Sequence, residues 1–347
     1  MRSGFHPNGL ATAIGSFPHA DPEAACDLIF RRLSQAPAWP QLPKRGFQET
    51  MCPQYASGLP ALVVDRAAER IYFRIGSDFL SHLETFYGKV IEEDLDYFGL
   101  AEEQAAGFYR FLQRLERGGR RYPFLKGHVT GPITFGLTIT DQDRKPAFYR
   151  PELADAIVKA TALKARWQIR KLQPFGDRVI LFIDEPYLSS VGSAIISLKA
   201  AAAREKIDEV AAAVHGEGAL AGVHCCANTD WSILAGSSVD IISFDAYGYA
   251  KNLLLYADAV KGFLARGGCL AWGIVPSSSD AEKETGETLW AKLSESFTRL
   301  HLGVAPETIR RQSLITPSCG MGTLTPELSD RILGLVVEVS ERVRRQV

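Results

Sequence analysis

The sequence predicts an α/β protein, and within that class a closed (β/α)₈ TIM barrel formed by one domain over residues 1–347. From about residue 120 onward, short apolar runs alternate with longer amphipathic stretches, which is typical of parallel strands joined by helices. Nearly every apolar run ends in a polar residue or a cysteine, as expected where the carboxyl ends of all strands surround one site. An open doubly wound sheet, the alternative, would concentrate these residues at a single switch point.

Apolar runs predict the strands. Six of them are bounded by turn residues and lead into loops: FLKGHVTGP, RVILFIDEP, LAGVHCCAN, DIISFDAYG, LAWGIVP and SLITPSCG. GLATAIGSF near the start predicts a seventh strand, and a less distinct eighth is expected before residue 90. Eight strands would complete the barrel.

Amphipathic stretches between these runs predict the helices: PELADAIVKATALKARWQIRKL, SLKAAAAREKIDEVAAAVHGEG, LWAKLSESFTRLHLG and PELSDRILGLVVEVSERVRR. Residues 34–75 interrupt the alternation with several prolines and a predicted hairpin around Asp65 to Glu69. Because long insertions in compact domains tend to be functional, this segment is predicted to be an elaborated loop over the barrel mouth.

Composition excludes several classes of function. Hydrophobic residues make up 46% and charged residues 23% of the chain, which fits a globular enzyme. A net charge of -1 gives no electrostatic basis for binding nucleic acid or an anionic membrane. No segment approaches the roughly 20 apolar residues that cross a bilayer. The N-terminal MRSGFHPNGLATAIGSF lacks a signal-peptide pattern, so a cytoplasmic location is predicted.

The six cysteines are too few for a dense disulfide framework in a chain of this length. Four potential ligands, His224, Cys226, Asp245 and Cys319, fall at the ends of three predicted strands. Two thiolates, an imidazole and a carboxylate suit Zn²⁺ better than the oxygen-preferring magnesium or calcium. The alternative is that these are buried cysteines, a hydrogen-bonded histidine and a solvated aspartate.

Alternate residues of a strand point to the same side, so His224 and Cys226 can face one ion while Cys225 packs elsewhere.

Asp184 and Glu185 follow a buried strand, where a carboxylate is costly unless it binds a cation or accepts hydrogen bonds. A substrate amino group would serve; a helix cap or a paired arginine is the alternative. The glycine of Ile14-Gly15-Ser16 would let a carboxylate approach backbone N–H groups, unless this is an ordinary turn.

Taken together, the chain resembles the catalytic barrel of cobalamin-independent methionine synthase, within the uroporphyrinogen-decarboxylase-like superfamily. The resemblance runs through most of the chain and rests on motifs in the same order: AIGSFPH, HVTGPIT, FIDEP, GVHCCAN, IISFDA and TPSCGMG. It implies a (β/α)₈ barrel whose zinc activates the thiol of homocysteine for methylation.

The resemblance also implies roles for individual residues. His224 and Cys226 match the family's His-x-Cys ligand pair, and Cys319 matches its late cysteine ligand. Asp245 stands where the family usually has a glutamate ligand and is one methylene shorter.

The substrate-binding residues follow in the same way. Asp184 matches the carboxylate that holds the amino group of homocysteine, which makes it the candidate catalytic residue. The backbone of Ile14, Gly15 and Ser16 matches the segment that receives the substrate carboxylate, and Glu49 is a second candidate for the amino-group anchor.

Departures from the family concern the methyl donor. Full-length synthases of the family have an additional N-terminal barrel that helps bind a polyglutamylated folate, and the single domain predicted here is not expected to include it. PITFGLTITD, which follows Gly131, lacks the folate-stacking tryptophan, and WGIVPSSSD lacks the proton-delivering histidine. A methyltetrahydrofolate without protonation is a poor donor.

The predicted function is therefore a zinc-dependent thiol methyltransferase that converts homocysteine to methionine. The predicted donor is a methylcorrinoid protein or free methylcobalamin. A uroporphyrinogen-decarboxylase-like enzyme, or a non-catalytic zinc- or thiol-binding barrel, is the alternative.

Overall fold

The computed structural model describes residues 5–193, 196–299 and 304–347. Its strands are, in chain order, β1 (Leu10–Ala11), β2 (Leu62–Asp65), β3 (Arg70–Phe73), β4 (Tyr122–Thr130), β5 (Gly176–Asp184), β6 (Leu220–Cys225), β7 (Ile241–Phe244), β8 (Cys269–Val275) and β9 (Ser313–Pro317). Seven of them form one parallel sheet in the order β1-β9-β8-β7-β6-β5-β4.

The helices of the described residues lie mostly between the sheet strands. They are α1 (Pro22–Arg32), α2 (Phe79–Ile91), α3 (Ala106–Gly118), α4 (Pro132–Thr138), α5 (Pro151–Leu172), α6 (Ala200–Gly216), α7 (Trp231–Ala235), α8 (Ala246–Tyr249), α9 (Ala257–Ala265), α10 (Gly286–Arg299), α11 (Pro306–Arg311) and α12 (Pro326–Arg344). The predicted parallel α/β class is confirmed. The end of the predicted helix LWAKLSESFTRLHLG, residues 300–303, and the first four residues of the chain lie outside the described residues.

The sheet curls like part of a barrel, but the closed eight-stranded barrel is not confirmed. The strand expected before residue 90 does not join the sheet: β2 and β3 form the predicted hairpin as a separate antiparallel pair, and helix α2 follows them. Between the edge strands β1 and β4 lies an irregular segment, where Ala38 bridges Lys126 and Gln41 bridges Ser16, both in parallel. The prolines at 37 and 40 break the backbone hydrogen-bond pattern that a regular strand needs.

Strand register brings polar residues to one level at the carboxyl end of the sheet. Thr130 on β4 pairs with Asp184 on β5, and Asp184 pairs with His224 on β6. The inward faces of the strands pack an apolar layer below that level, which includes Ile180, Phe182 and Leu220. The site therefore rests on a packed interior, as in α/β barrels.

Residues 34–75 fold against this end of the sheet. The Tyr55 hydroxyl donates to the backbone oxygen of His128 at 2.7 Å, and the Thr130 hydroxyl donates to that of Met51 at 2.6 Å. Among the described residues, no helix is both long and apolar enough to cross a bilayer.

Candidate metal centre and substrate cavity

A cavity of about 240 Å³ opens at the carboxyl ends of the strands. Its described lining includes Ile14, Ser16, Gln41, Pro43, Met51, Tyr55, His128, Thr130, Asp184, Pro186, His224, Cys226, Cys319, Gly320, Gly322 and Thr323. The predicted residues from four different segments thus meet at one place, together with part of the segment 34–75.

His224, Cys226 and Cys319 form the centre of the site. One ligand atom from each lies within 4.8 Å of the others. His224 is the penultimate residue of β6, and its Nδ1 lies 3.0 Å from the Ser243 hydroxyl on β7. Its Nε2 is buried and makes no hydrogen bond to the part of the chain that is described. Such an imidazole, oriented through one nitrogen and free at the other, is typical of a metal ligand.

The two cysteines interact strongly. The neighbouring Cys319 and His224 lower the pKa of the Cys226 thiol to about 4, despite its partial burial. The same contact with Cys226, together with burial, raises the pKa of the Cys319 thiol. The pair thus already favours one thiolate, the form that ligates metals. Cys225 is buried on the opposite side of the strand, as predicted.

Ser277 holds the segment that carries Cys319. Its hydroxyl donates to the backbone oxygen of Cys319 at 2.8 Å and accepts the Cys319 N–H at 3.1 Å. The next residue, Gly320, packs so closely on Ser16 that a Cβ would lie 2.1 Å from the Ser16 hydroxyl oxygen. This role of Ser277 was not predicted from WGIVPSSSD, since nothing in the sequence indicates that the loop after β8 reaches the end of β9.

Asp245 lies outside the three-residue group. It caps the short helix α8, and its Oδ1 accepts the Gly248 N–H at 2.8 Å. Burial raises the pKa of its carboxyl group, and the nearby Cys226 does the same. Its service as a fourth ligand stays a prediction.

Asp184 and Glu185 divide into two roles. Glu185 accepts hydrogen bonds from the N–H groups of Ile133 and Thr134, at 2.9 and 2.7 Å, and so caps α4. Asp184 lines the cavity, and its buried Oδ1 has no hydrogen-bond partner among the described residues. Burial raises the pKa of Asp184 to about 6, opposed by His224 and by the buried ammonium group of Lys126. The helix-cap alternative applies to Glu185, and Asp184 remains available for a ligand.

The turn at Ile14–Ser16 borders the cavity through its two outer residues. The Lys126 ammonium donates to the Ile14 backbone oxygen at 2.5 Å. A Cβ on Gly15 would lie 2.8 Å from Nδ1 of His128, so glycine is needed there for packing against that ring. Carboxylate binding by this backbone stays a prediction.

Glu49 is buried and forms an ion pair with Arg45 at 2.5 Å. It lines a separate cavity with Arg66 and Glu103, and is not part of the described lining around Asp184. Its predicted role as an amino-group anchor is not tested by this arrangement, but its charge already has a partner.

Two further residues near the cavity, Lys126 and His128, were not predicted. Both are fully buried, Lys126 below the cavity and His128 at its wall. A signal was present: Lys126, His128 and Thr130 are polar at every second position of an otherwise apolar strand. That spacing places all three on one face.

No protein-family model and no curated protein matches the chain. Among solved structures, it is similar to a methyltransferase from Methanosarcina mazei, with a TM-score of 0.55 and 12% identity over 92% of this chain and 86% of that chain. A B12-independent methionine synthase from Shewanella sp. W3-18-1 in complex with selenomethionine matches with a TM-score of 0.46 and 19% identity, over 68% of this chain and 67% of that chain. The similarity to the Methanosarcina mazei structure shows that the two chains share a fold.

Proposed function

We propose that the protein is a zinc-dependent thiol methyltransferase whose acceptor is homocysteine. The observation that carries the proposal is the meeting of His224, Cys226 and Cys319 at the wall of a cavity, with Nε2 of His224 buried and unpaired within the described structure. The fold shared with a methyltransferase supports it.

The donor set fits zinc. Two sulfur ligands and one imidazole nitrogen are the ligands that zinc commonly takes from proteins, and a fourth position is then left for Asp245 or a substrate. Zinc bound there would supply the chemistry of lowering the pKa of a substrate thiol below its usual value of about 8.5.

Asp184 binds the amino group of the substrate in this proposal. Its unpaired Oδ1 faces a cavity in which an ammonium group would provide both a hydrogen bond and a compensating charge. Register places Asp184 directly beside His224, so the amino end and the thiol end of one small molecule would be held at the same level.

Cavity size favours a small acceptor. About 240 Å³ is below the roughly 300–1,000 Å³ typical of sites for drug-sized ligands. Met51 and Tyr55 of the segment 34–75 line the cavity, and they would limit water access and orient the reacting groups. We propose that residues 35–41, bridged to Lys126 of β4 and to Ser16 beyond the end of β1, complete the barrel as an irregular eighth strand.

The proposed donor is a methylcorrinoid protein or free methylcobalamin. Ser277 occupies the loop where the family's proton-delivering histidine would stand and is bonded to Cys319.

The described lining contains no arginine, which disfavours a decarboxylase substrate with many carboxylates. Six free cysteines in the described structure fit a reducing compartment such as the cytoplasm.

The test is methyl transfer to homocysteine by zinc-loaded protein, with methylcobalamin and methyltetrahydrofolate offered separately. We expect transfer from methylcobalamin, and loss of both zinc and transfer in Cys319→Ser. Cys225→Ser is the matched control, since Cys225 is buried away from the cavity, and should retain both. Zinc retention in Cys319→Ser would contradict the site. Thiol binding without transfer from either donor would instead favour a non-catalytic zinc-binding barrel.

A further inference from the structure

His128 is a buried polar side chain whose two ring nitrogens make no hydrogen bond to the described residues. It lies on β4, is 1% exposed and lines the cavity. Neither ring nitrogen has a hydrogen-bond partner in the described parts of the chain. Buried polar atoms are nearly always paired, so two unpaired nitrogens on a side chain that lines a cavity indicate a ligand.

The ring is held in one orientation by its surroundings. It stacks on Trp39, with ring centroids 4.0 Å apart and planes 19° from parallel. Gly15 lies against it, close enough that a side chain there would collide. The Trp39 indole N–H donates to Gln168 at 2.9 Å, and Gln168 donates to the His128 backbone oxygen, also at 2.9 Å. A side chain whose orientation is fixed by packing and by neighbouring hydrogen bonds is typical of a binding site.

The chemistry of the ring is that of a neutral imidazole. Burial and the neighbouring Lys126 ammonium hold the pKa of His128 well below its ordinary value. A neutral imidazole carries one N–H donor and one acceptor nitrogen. The His128 ring can therefore donate a hydrogen bond to an anionic group, whereas Asp184 is suited to a cationic one.

An amino-acid thiol has three polar groups, a thiol, an amino group and a carboxylate, and each needs a binding position in the cavity. The thiol belongs with His224, Cys226 and Cys319, and the amino group with Asp184. The remaining carboxylate belongs beside the Ile14–Ser16 turn, which Lys126 contacts from below. His128 borders the same turn through Gly15. The positive charge of Lys126 also favours an anion at this end of the cavity.

We infer that His128 binds the carboxylate of the amino-acid substrate by donating a ring N–H to it beside the Ile14–Ser16 turn. The inference rests on the proposed function, because it takes the acceptor to be an α-amino acid thiol. It makes His128 a determinant of specificity for thiols that carry a carboxylate.

The test is calorimetric binding to zinc-loaded protein of two thiols, homocysteine and homocysteamine, which lacks the carboxylate. We expect wild-type protein to bind homocysteine more tightly. His128→Phe keeps the stacking on Trp39 but removes both nitrogens, and should weaken homocysteine binding about tenfold to a hundredfold while leaving homocysteamine unaffected. His128→Gln keeps an N–H donor and should therefore bind homocysteine more tightly than His128→Phe does. It also provides a second variant for the affinity measurement where His128→Phe folds poorly.

His19→Phe is the matched control, since His19 is a buried histidine outside the described cavity lining, and both affinities should be unchanged. If wild type prefers homocysteine and both His128 variants keep that preference in full, the role of His128 is wrong and the proposed function stands. If wild-type zinc protein binds neither thiol, the proposed function fails, and the role of His128 fails with it.

Discussion

Adjacent carboxylates at the end of β5 have different surroundings. Glu185 is saturated by donors from the start of α4, whereas Asp184 faces the cavity with an unpaired oxygen. At the scale of single residues, this contrast separates a structural group from a binding group. The residue types alone left either carboxylate open as a helix cap, and only the family resemblance pointed to Asp184.

Asp184→Asn should raise the Kd for homocysteine about tenfold to a hundredfold, because a charge-assisted hydrogen bond to the amino group is replaced by a neutral one. Zinc content should not change. Asp177→Asn is the matched control: Asp177 lies on the same strand but is exposed and bonded to Arg121. An unchanged Kd in Asp184→Asn would show that the amino group is bound elsewhere.

Gly15→Ala should destabilise the protein by about 1–3 kcal/mol through overpacking against His128, and should weaken thiol binding as the ring is displaced. Urea unfolding and thiol titration measure the two effects. Gly118→Ala in α3, where an added Cβ meets nothing within 4 Å, should not lose stability. Equal stability of Gly15→Ala and wild type would contradict the close contact with the ring.

Several site residues were predictable because they stand in recognisable strand-end motifs: His224, Cys226, Cys319 and Asp184 all reach the cavity wall. Lys126 and His128 were not predicted as site residues. The sequence does not show whether a polar side chain in an apolar strand faces a cavity or a hydrogen-bonding partner. The role of Glu49 stays a prediction; its carboxylate pairs with Arg45, a contact that the sequence does not indicate.

At the scale of elements, helices with a long amphipathic pattern were predicted closely. The stretch PELADAIVKATALKARWQIRKL corresponds to α5, Pro151–Leu172. The irregular segment 35–41 was not predicted to lie beside the sheet, because its backbone contacts depend on β4 and on Ser16 beyond β1, and its prolines give no strand signal.

Helix α5 also anchors the segment 34–75 through Lys164. The buried ammonium of Lys164 donates to the backbone oxygens of Ser57 and Phe98, at 2.6 and 3.1 Å. Burial lowers the pKa of Lys164 to about 7. Between pH 7 and about 10 the unfolded chain therefore binds a proton that the folded protein has released, so this group makes stability rise with pH.

Lys164→Met should remove that contribution. Above pH 7, we expect this group to increase the unfolding free energy of wild type by up to about 1.4 kcal/mol per pH unit. The unfolding free energy of wild type minus that of Lys164→Met should increase by the same amount. Urea unfolding at several pH values measures it. Lys171→Met, on the same helix but partly exposed, is the control and should follow wild type. A difference that stays constant with pH would contradict the burial of a titrating ammonium.

At the scale of the whole molecule, the parallel order of strands places residues distant in sequence around one cavity. The register from Thr130 through Asp184 to His224 shows how this follows from strand pairing. We propose that this convergence makes a zinc site that receives a thiol.

The most direct measurement is elemental analysis of purified protein, combined with X-ray absorption at the zinc edge before and after homocysteine is added. We expect about one zinc per chain and one additional sulfur neighbour on addition of homocysteine. Absence of zinc after chelator-free purification and attempted reconstitution, or a coordination shell unchanged by the thiol, would contradict it.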